Sequence, residues 1–85
     1  QIEERDNNTN PGDRPITRIE LIGKMFDMKD KTIAQRSSIP IPRARQNPLN
    51  PGETMRVSIK IDAPSKITEA EVKDVTIELK GLKFQ

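Results

Sequence analysis

Apolar and polar residues alternate strictly from Met55 to Asp62. Met55, Val57, Ile59 and Ile61 hold one phase, and Arg56, Ser58, Lys60 and Asp62 hold the other. A period of two sends one set to a buried sheet face and the other to solvent, which predicts a strand over Thr54–Asp62. The pattern returns over Val72–Phe84, where Val75, Ile77 and Leu79 alternate with Thr76, Glu78 and Lys80. At Gly81 the phase slips, so that Leu82 and Phe84 take over; a glycine at such a slip marks a bulge or bend. An earlier strand is predicted over Ile16–Asp27, with Ile19 and Leu21 in one phase, Ile22, Phe26 and Met28 in another, and Gly23 near the change. Lys31–Arg36 is its predicted hairpin partner across the short polar loop Met28-Lys29-Asp30. The predicted buried set is Ile19, Leu21, Phe26, Val57, Ile59, Val75, Ile77 and Leu79.

The segments between these strands are rich in turn formers. Asn7–Pro15 (NNTNPGDRP) reads as loop. Ser37–Gly52 contains Pro40, Pro42, Pro48 and Pro51. Each proline lacks a backbone N–H and biases its predecessor to extended geometry, so this segment is predicted to run along a sheet edge or cross over, not to lie within a sheet. Pro51-Gly52 predicts a type II corner that fixes the register of the strand after it. Thr68 followed by Glu71 fits a capping box, predicting one helical turn over Glu69–Lys73, with Ile67 and Val72 against the sheets. The pattern as a whole predicts an all-β chain, a small antiparallel sandwich of about five to seven strands with almost no helix.

Composition narrows the functional classes. At 85 residues the chain is a single domain over 1–85 with one thin core and no room for a deep catalytic cavity. Its fifteen Lys and Arg against thirteen Asp and Glu are interspersed, which reads as a solubilising surface. With no His and no Cys, two of the commonest catalytic and metal-binding side chains are missing, and disulfides play no part. No apolar run approaches the ~20 residues of a membrane span, so membrane insertion of this segment is not expected. The chain opens on Gln1 without a Met, from which a piece of a longer protein is expected.

The run from Asn7 to Ile61 resembles the small immunoglobulin-like β-sandwiches of the FxLYD type and their relatives, the water-stress domains of late-embryogenesis-abundant proteins. Asn8 or Asn10 matches their asparagine-bearing turn. Met25-Phe26-Asp27 matches the aromatic-Asp pair before a hairpin, and Leu49-Asn50-Pro51-Gly52-Glu53-Thr54 matches the corner that opens the next strand. Two departures stand out: the first strand offers only Ile2, so it is expected to be truncated or poorly paired, and Gly23 stands where a larger residue is the rule. The resemblance implies an immunoglobulin-like fold and an extracytoplasmic accessory domain, periplasmic or at the cell surface, tethered or attached to other domains.

Candidate chemistry is sparse. Asp27 and Asp30 share one hairpin loop, but two carboxylates fall short of a calcium loop and read as a polar turn. Ser37, Ser38, Ser58 and Ser65 have no His to serve as base, so an enzyme is not expected, nor is a cofactor or a metal. Asn7-Asn8-Thr9 formally fits a glycosylation acceptor. The best candidate is the basic, proline-stiffened segment carrying Arg36, Ile39, Ile41, Arg43 and Arg45, with Ile39 or Ile41 expected at the surface. It predicts a non-catalytic module that contacts a protein partner there. The alternative is a binding module for an anionic polymer, nucleic acid or glycan, through Arg36–Arg45; nucleic acid is disfavoured because Phe26 and Phe84 are the only aromatic residues available for stacking.

Overall fold

In the computed structural model, which describes residues 1–85 apart from the side chain of Glu69, five strands form two antiparallel sheets. One sheet pairs β1 (Ile2–Thr9) with β4 (Thr54–Ile61). The other runs in the order β3 (Thr32–Ile39), β2 (Ile16–Asp27), β5 (Val72–Phe84). The chain is therefore all-β, with two short helical turns. Among the described residues no helix is long and apolar enough to cross a membrane.

The alternation in β4 resolves as predicted: Met55, Val57, Ile59 and Ile61 are buried and the residues between them are exposed. They face Ile19, Leu21 and Met25 of β2 and Val75 of β5, while Ile16, Ile41 and Leu49 complete the core. The sheets approach closely at Gly23, where an added Cβ would lie 2.9 Å from Ile61 Cδ1.

Three predicted core positions are corrected. The inward phase of β2 runs on through Gly23 to Met25 instead of changing there, so Phe26 falls on the outer face and is half-buried. The register shifts elsewhere: between Ile16 and Arg18 against β5, where Thr17 is the extra residue, and between Met25 and Phe26 against β3, where Ile33 is. Ile77 is half-buried, and Leu79 is 58% exposed. Leu79 pairs with the buried Leu21 and so faces inward, but a two-stranded sheet is too narrow to cover the far half of β5.

The largest departure from expectation is β1. Asn7, Asn8 and Thr9 belong to a strand and not to a loop, pairing with Arg56, Met55 and Thr54. With Ile2 as its one apolar residue, β1 is held by its main-chain ladder to β4. Beyond it, Asn10 is fully buried and uses its whole amide: Nδ2 donates to the Arg14 carbonyl at 2.8 Å and the Leu49 carbonyl at 2.9 Å, and Oδ1 accepts from the Gly12 N–H at 2.9 Å.

The corners follow turn chemistry. Gly52 has φ +80° and Glu53 N–H reaches the Asn50 carbonyl at 2.9 Å, which is the predicted type II turn. Gly81 pairs with Glu20 and Leu79 with Leu21, leaving Lys80 as the extra residue of the predicted bulge. Glu71 accepts the Thr68 N–H at 3.3 Å across the short turn Glu69–Glu71. At the β2–β3 hairpin, Asp27 Oδ1 accepts the N–H groups of Lys29 and Lys31, both at 2.9 Å, and Asp30 pairs with Lys73 at 2.6 Å. β3 runs three residues past the predicted Arg36, to Ile39, and ends where Pro40 begins a wide turn closed by Arg45 N–H to the Pro40 carbonyl.

Candidate functional site

The three-stranded sheet is wider than its partner, and the consequence is felt along β3. The pairs Met25–Ala34, Gly23–Arg36 and Leu21–Ser38 put Ala34, Arg36 and Ser38 on the inner face of an edge strand. There they look into the open side of the sandwich. Arg36 Nη1 crosses that opening and donates to the Lys60 carbonyl at 2.9 Å.

That hydrogen bond also shows which main-chain groups of β4 point away from β1. In a strand the N–H and C=O of successive residues point to opposite edges. Asn10 N–H reaches the Glu53 carbonyl at 3.0 Å, and the β1–β4 register continues through Asn8–Met55, Asp6–Val57 and Glu4–Ile59. Odd-numbered residues of β4 therefore pair with β1, and Arg56, Ser58 and Lys60 direct their N–H and C=O toward the open edge.

Between the edges of β3 and β4 lies a groove of about 560 Å³. Three cations line it: Arg36, Arg43 and Lys60. The hydroxyl-bearing Ser38 and Ser58 lie beside them, and Ile39, Pro40 and Ile59 supply apolar wall. Lys60 Nζ lies 3.8 Å from Glu3 Oε2, and the hydrogen bond from Arg5 holds the Glu3 carboxyl below its ordinary range. Arg43 makes no ion pair among the described residues.

The candidate residues divide. Arg36, Arg43 and the half-buried Ile39 meet at the groove. Ile41, expected at the surface as an alternative to Ile39, has no exposure at all; it bridges to Ile19 and belongs to the core. Arg45 turns the other way. It donates to the carbonyls of Asn47 at 3.0 Å and Pro48 at 2.7 Å and to Glu53 Oε1 at 2.6 Å, tying down the loop before β4. Glu53 Oε1 also accepts the Asn50 N–H at 3.0 Å; that bond first, and Arg45 second, hold its carboxyl below the ordinary range. Lys60 and Ser58 were missed as site residues. Alternation assigns them to the exposed phase of β4, but only the sheet order reveals that they border an open edge.

A second opening lies between β1 and β5, about 320 Å³ and mostly apolar. Leu79, Leu82 and Phe84 line it with 58%, 38% and 43% of their surface exposed. Asn8 Nδ2 is buried there without a hydrogen-bond partner among the described residues, and the Arg14 guanidinium sits 5.1 Å over the Phe84 ring. No family model, curated protein or solved structure matches this chain.

Proposed function

We propose that this protein is a non-catalytic β-sandwich interaction module, an accessory unit of a larger protein, that captures a polypeptide partner in the groove between β3 and β4. The observation that carries the reading is the open edge of β4, whose Ser58 and Lys60 main-chain groups are directed into a groove lined by Arg36, Arg43 and Lys60. Main-chain groups on an open edge supply affinity for any extended chain, and the flanking side chains supply selectivity. The resemblance to the FxLYD-type domains supports the same reading and adds an extracytoplasmic placement. That the module does no chemistry fits the absence of histidine beside the groove's serines.

The test is a selection of displayed random peptides on the folded protein, with every enriched peptide re-measured on Arg43→Glu and Lys60→Glu variants. Enriched peptides should lose binding to both variants. If all binders are indifferent to both substitutions, the groove is not the contact surface.

Three cations in one groove also favour a second reading, an anionic polymer such as a glycan or nucleic acid. No aromatic ring lines the groove, so base stacking, the usual source of single-strand affinity, is missing from it. A steep loss of affinity for a heparin fragment with added salt, together with failure of the peptide selection, would favour the polymer.

A further inference from the structure

Resting on the reading that the groove takes a polypeptide, we propose that its occupant is an extended acidic segment that adds as a strand to the free edge of β4. Ile59 and Ile61 of β4 lie directly against Gly23 of β2, and the Arg36 guanidinium of β3 reaches across to the Lys60 carbonyl. The next position in its sheet is therefore the groove beside β3, where Arg36 is exposed and Ala34 and Ser38 are half-buried. A strand placed there continues the ladder with the Ser58 and Lys60 main chain and closes the open side of the sandwich.

Charge specifies the chemistry of that strand. Its inward side chains meet β3 at Arg36, flanked by the small Ala34 and Ser38. Its outward side chains stand beside Arg56 and Lys60, which occupy the exposed phase of β4, at the ~5 Å spacing of cross-strand neighbours. Arg43 lies at the rim. Cations thus flank both faces of this position in the sheet. Successive residues of an extended chain point to opposite faces, so a carboxylate opposite Arg36 and its sequence neighbours beside Arg56 and Lys60 find partners, whereas a basic segment meets like charge on both sides.

Arg36 serves both states. Its guanidinium covers the Lys60 carbonyl, and an inward-pointing charge on an edge strand discourages pairing with the wrong chain. When a strand arrives, its N–H takes the Lys60 carbonyl and the guanidinium turns to an inward carboxylate. Exchanging a neutral acceptor for a charged one strengthens that contact.

The experiment uses a synthetic peptide rich in Glu with interspersed Val and Thr, titrated against the isotope-labelled protein. The amides of Ser58 and Lys60 should shift and gain protection from hydrogen exchange. Affinity should fall about tenfold for Arg36→Gln or Arg43→Gln, the loss of one charge-assisted bond, and the same peptide N-methylated at alternate residues should not bind. The N-methyl control touches only the peptide, so the result does not depend on the variants folding. Equal binding of the N-methylated peptide, or of a Glu-to-Lys version, overturns strand addition by an acidic segment. If displayed peptides bind in a groove-dependent way but carry no excess of acid, this inference falls while the interaction module stands. If no peptide depends on the groove, both fall.

Discussion

Gly23 lies directly beneath Ile61: a methyl group added to Gly23 would stand 2.9 Å from Ile61 Cδ1 and 3.0 Å from Ile59 Cγ2. The missing side chain sets how closely the two sheets approach. Two effects oppose each other in a Gly23→Ala variant. Relief of glycine's entropic penalty in a strand favours alanine by roughly 0.5–1 kcal/mol, and overpacking a filled core costs about 1–3 kcal/mol. Ile61 Cδ1 is the end of a flexible side chain, but Ile59 Cγ2 is fixed close to its backbone, so the cost is expected to win. Urea unfolding should show Gly23→Ala less stable by about 1–2 kcal/mol; a midpoint at or above that of the parent would mean the sheets are free to separate.

Asn10 offers a sharper test, because its amide satisfies three main-chain groups at once. Asn10→Ala leaves the Arg14 and Leu49 carbonyls and the Gly12 N–H without that partner. At about 1–3 kcal/mol for each buried group left unpaired, offset by water where the site opens, a net loss of about 2–4 kcal/mol is expected. Asn10→Asp should be no better at neutral pH, since it sets an acceptor against two carbonyls. A denaturation midpoint unchanged in either variant would contradict the buried network.

The hydrogen bonds to Glu53 and Asp27 should contribute to the acid limb of stability. The Glu53 carboxyl is held low chiefly by the Asn50 N–H and then by Arg45, and that of Asp27 chiefly by the Lys31 N–H. Both folded-state values lie below the unfolded ones. The stability they contribute is therefore complete above the ordinary carboxylate range, about pH 4, and is lost as pH falls through the depressed values. Glu53→Gln should accordingly lower the urea midpoint at pH 7, and the difference from the parent should shrink as pH drops below about 4. A difference that stays constant down to strongly acid pH would assign the effect to side-chain packing instead.

What the sequence discloses depends on whether a residue's partners are implied by its own neighbours. β4 is legible because four apolar residues in one phase can serve only one face, the Gly52 corner because its positive φ demands glycine, and the Lys80 bulge because the apolar phase slips at Gly81. β1 is hidden, since IEERDNNT carries one apolar residue and owes its strand to a ladder with residues more than forty positions away. The site is half legible for the same reason. Arg36 and Arg43 read as basic residues near an edge, but whether Arg45 faces the groove or staples its own loop depends on where Asn47, Pro48 and Glu53 fold around it. Lys60 becomes a site residue only once the sheet order leaves its side of β4 open.

Ile41 and Leu79 exchange the places that local pattern assigns them, and a pair of truncations measures that exchange. Ile41 sits between two prolines with no periodic context, yet it is fully buried and bridged to Ile19. Leu79 continues a clean alternation but is 58% exposed beside the opening between β1 and β5. Truncating a core isoleucine removes its transfer free energy and leaves a cavity that neighbours on two elements cannot fill, so Ile41→Ala should cost about 2–5 kcal/mol, as should Ile59→Ala. Leu79→Ala removes a side chain already mostly in water and should cost under about 1 kcal/mol. The two variants are compared by urea denaturation on the same preparation, with equal slopes required so that the midpoints report stability alone. If Leu79→Ala proves as damaging as Ile41→Ala, something covers the far half of β5 in solution, and the opening beside Asn8 is closed by another strand or a second molecule.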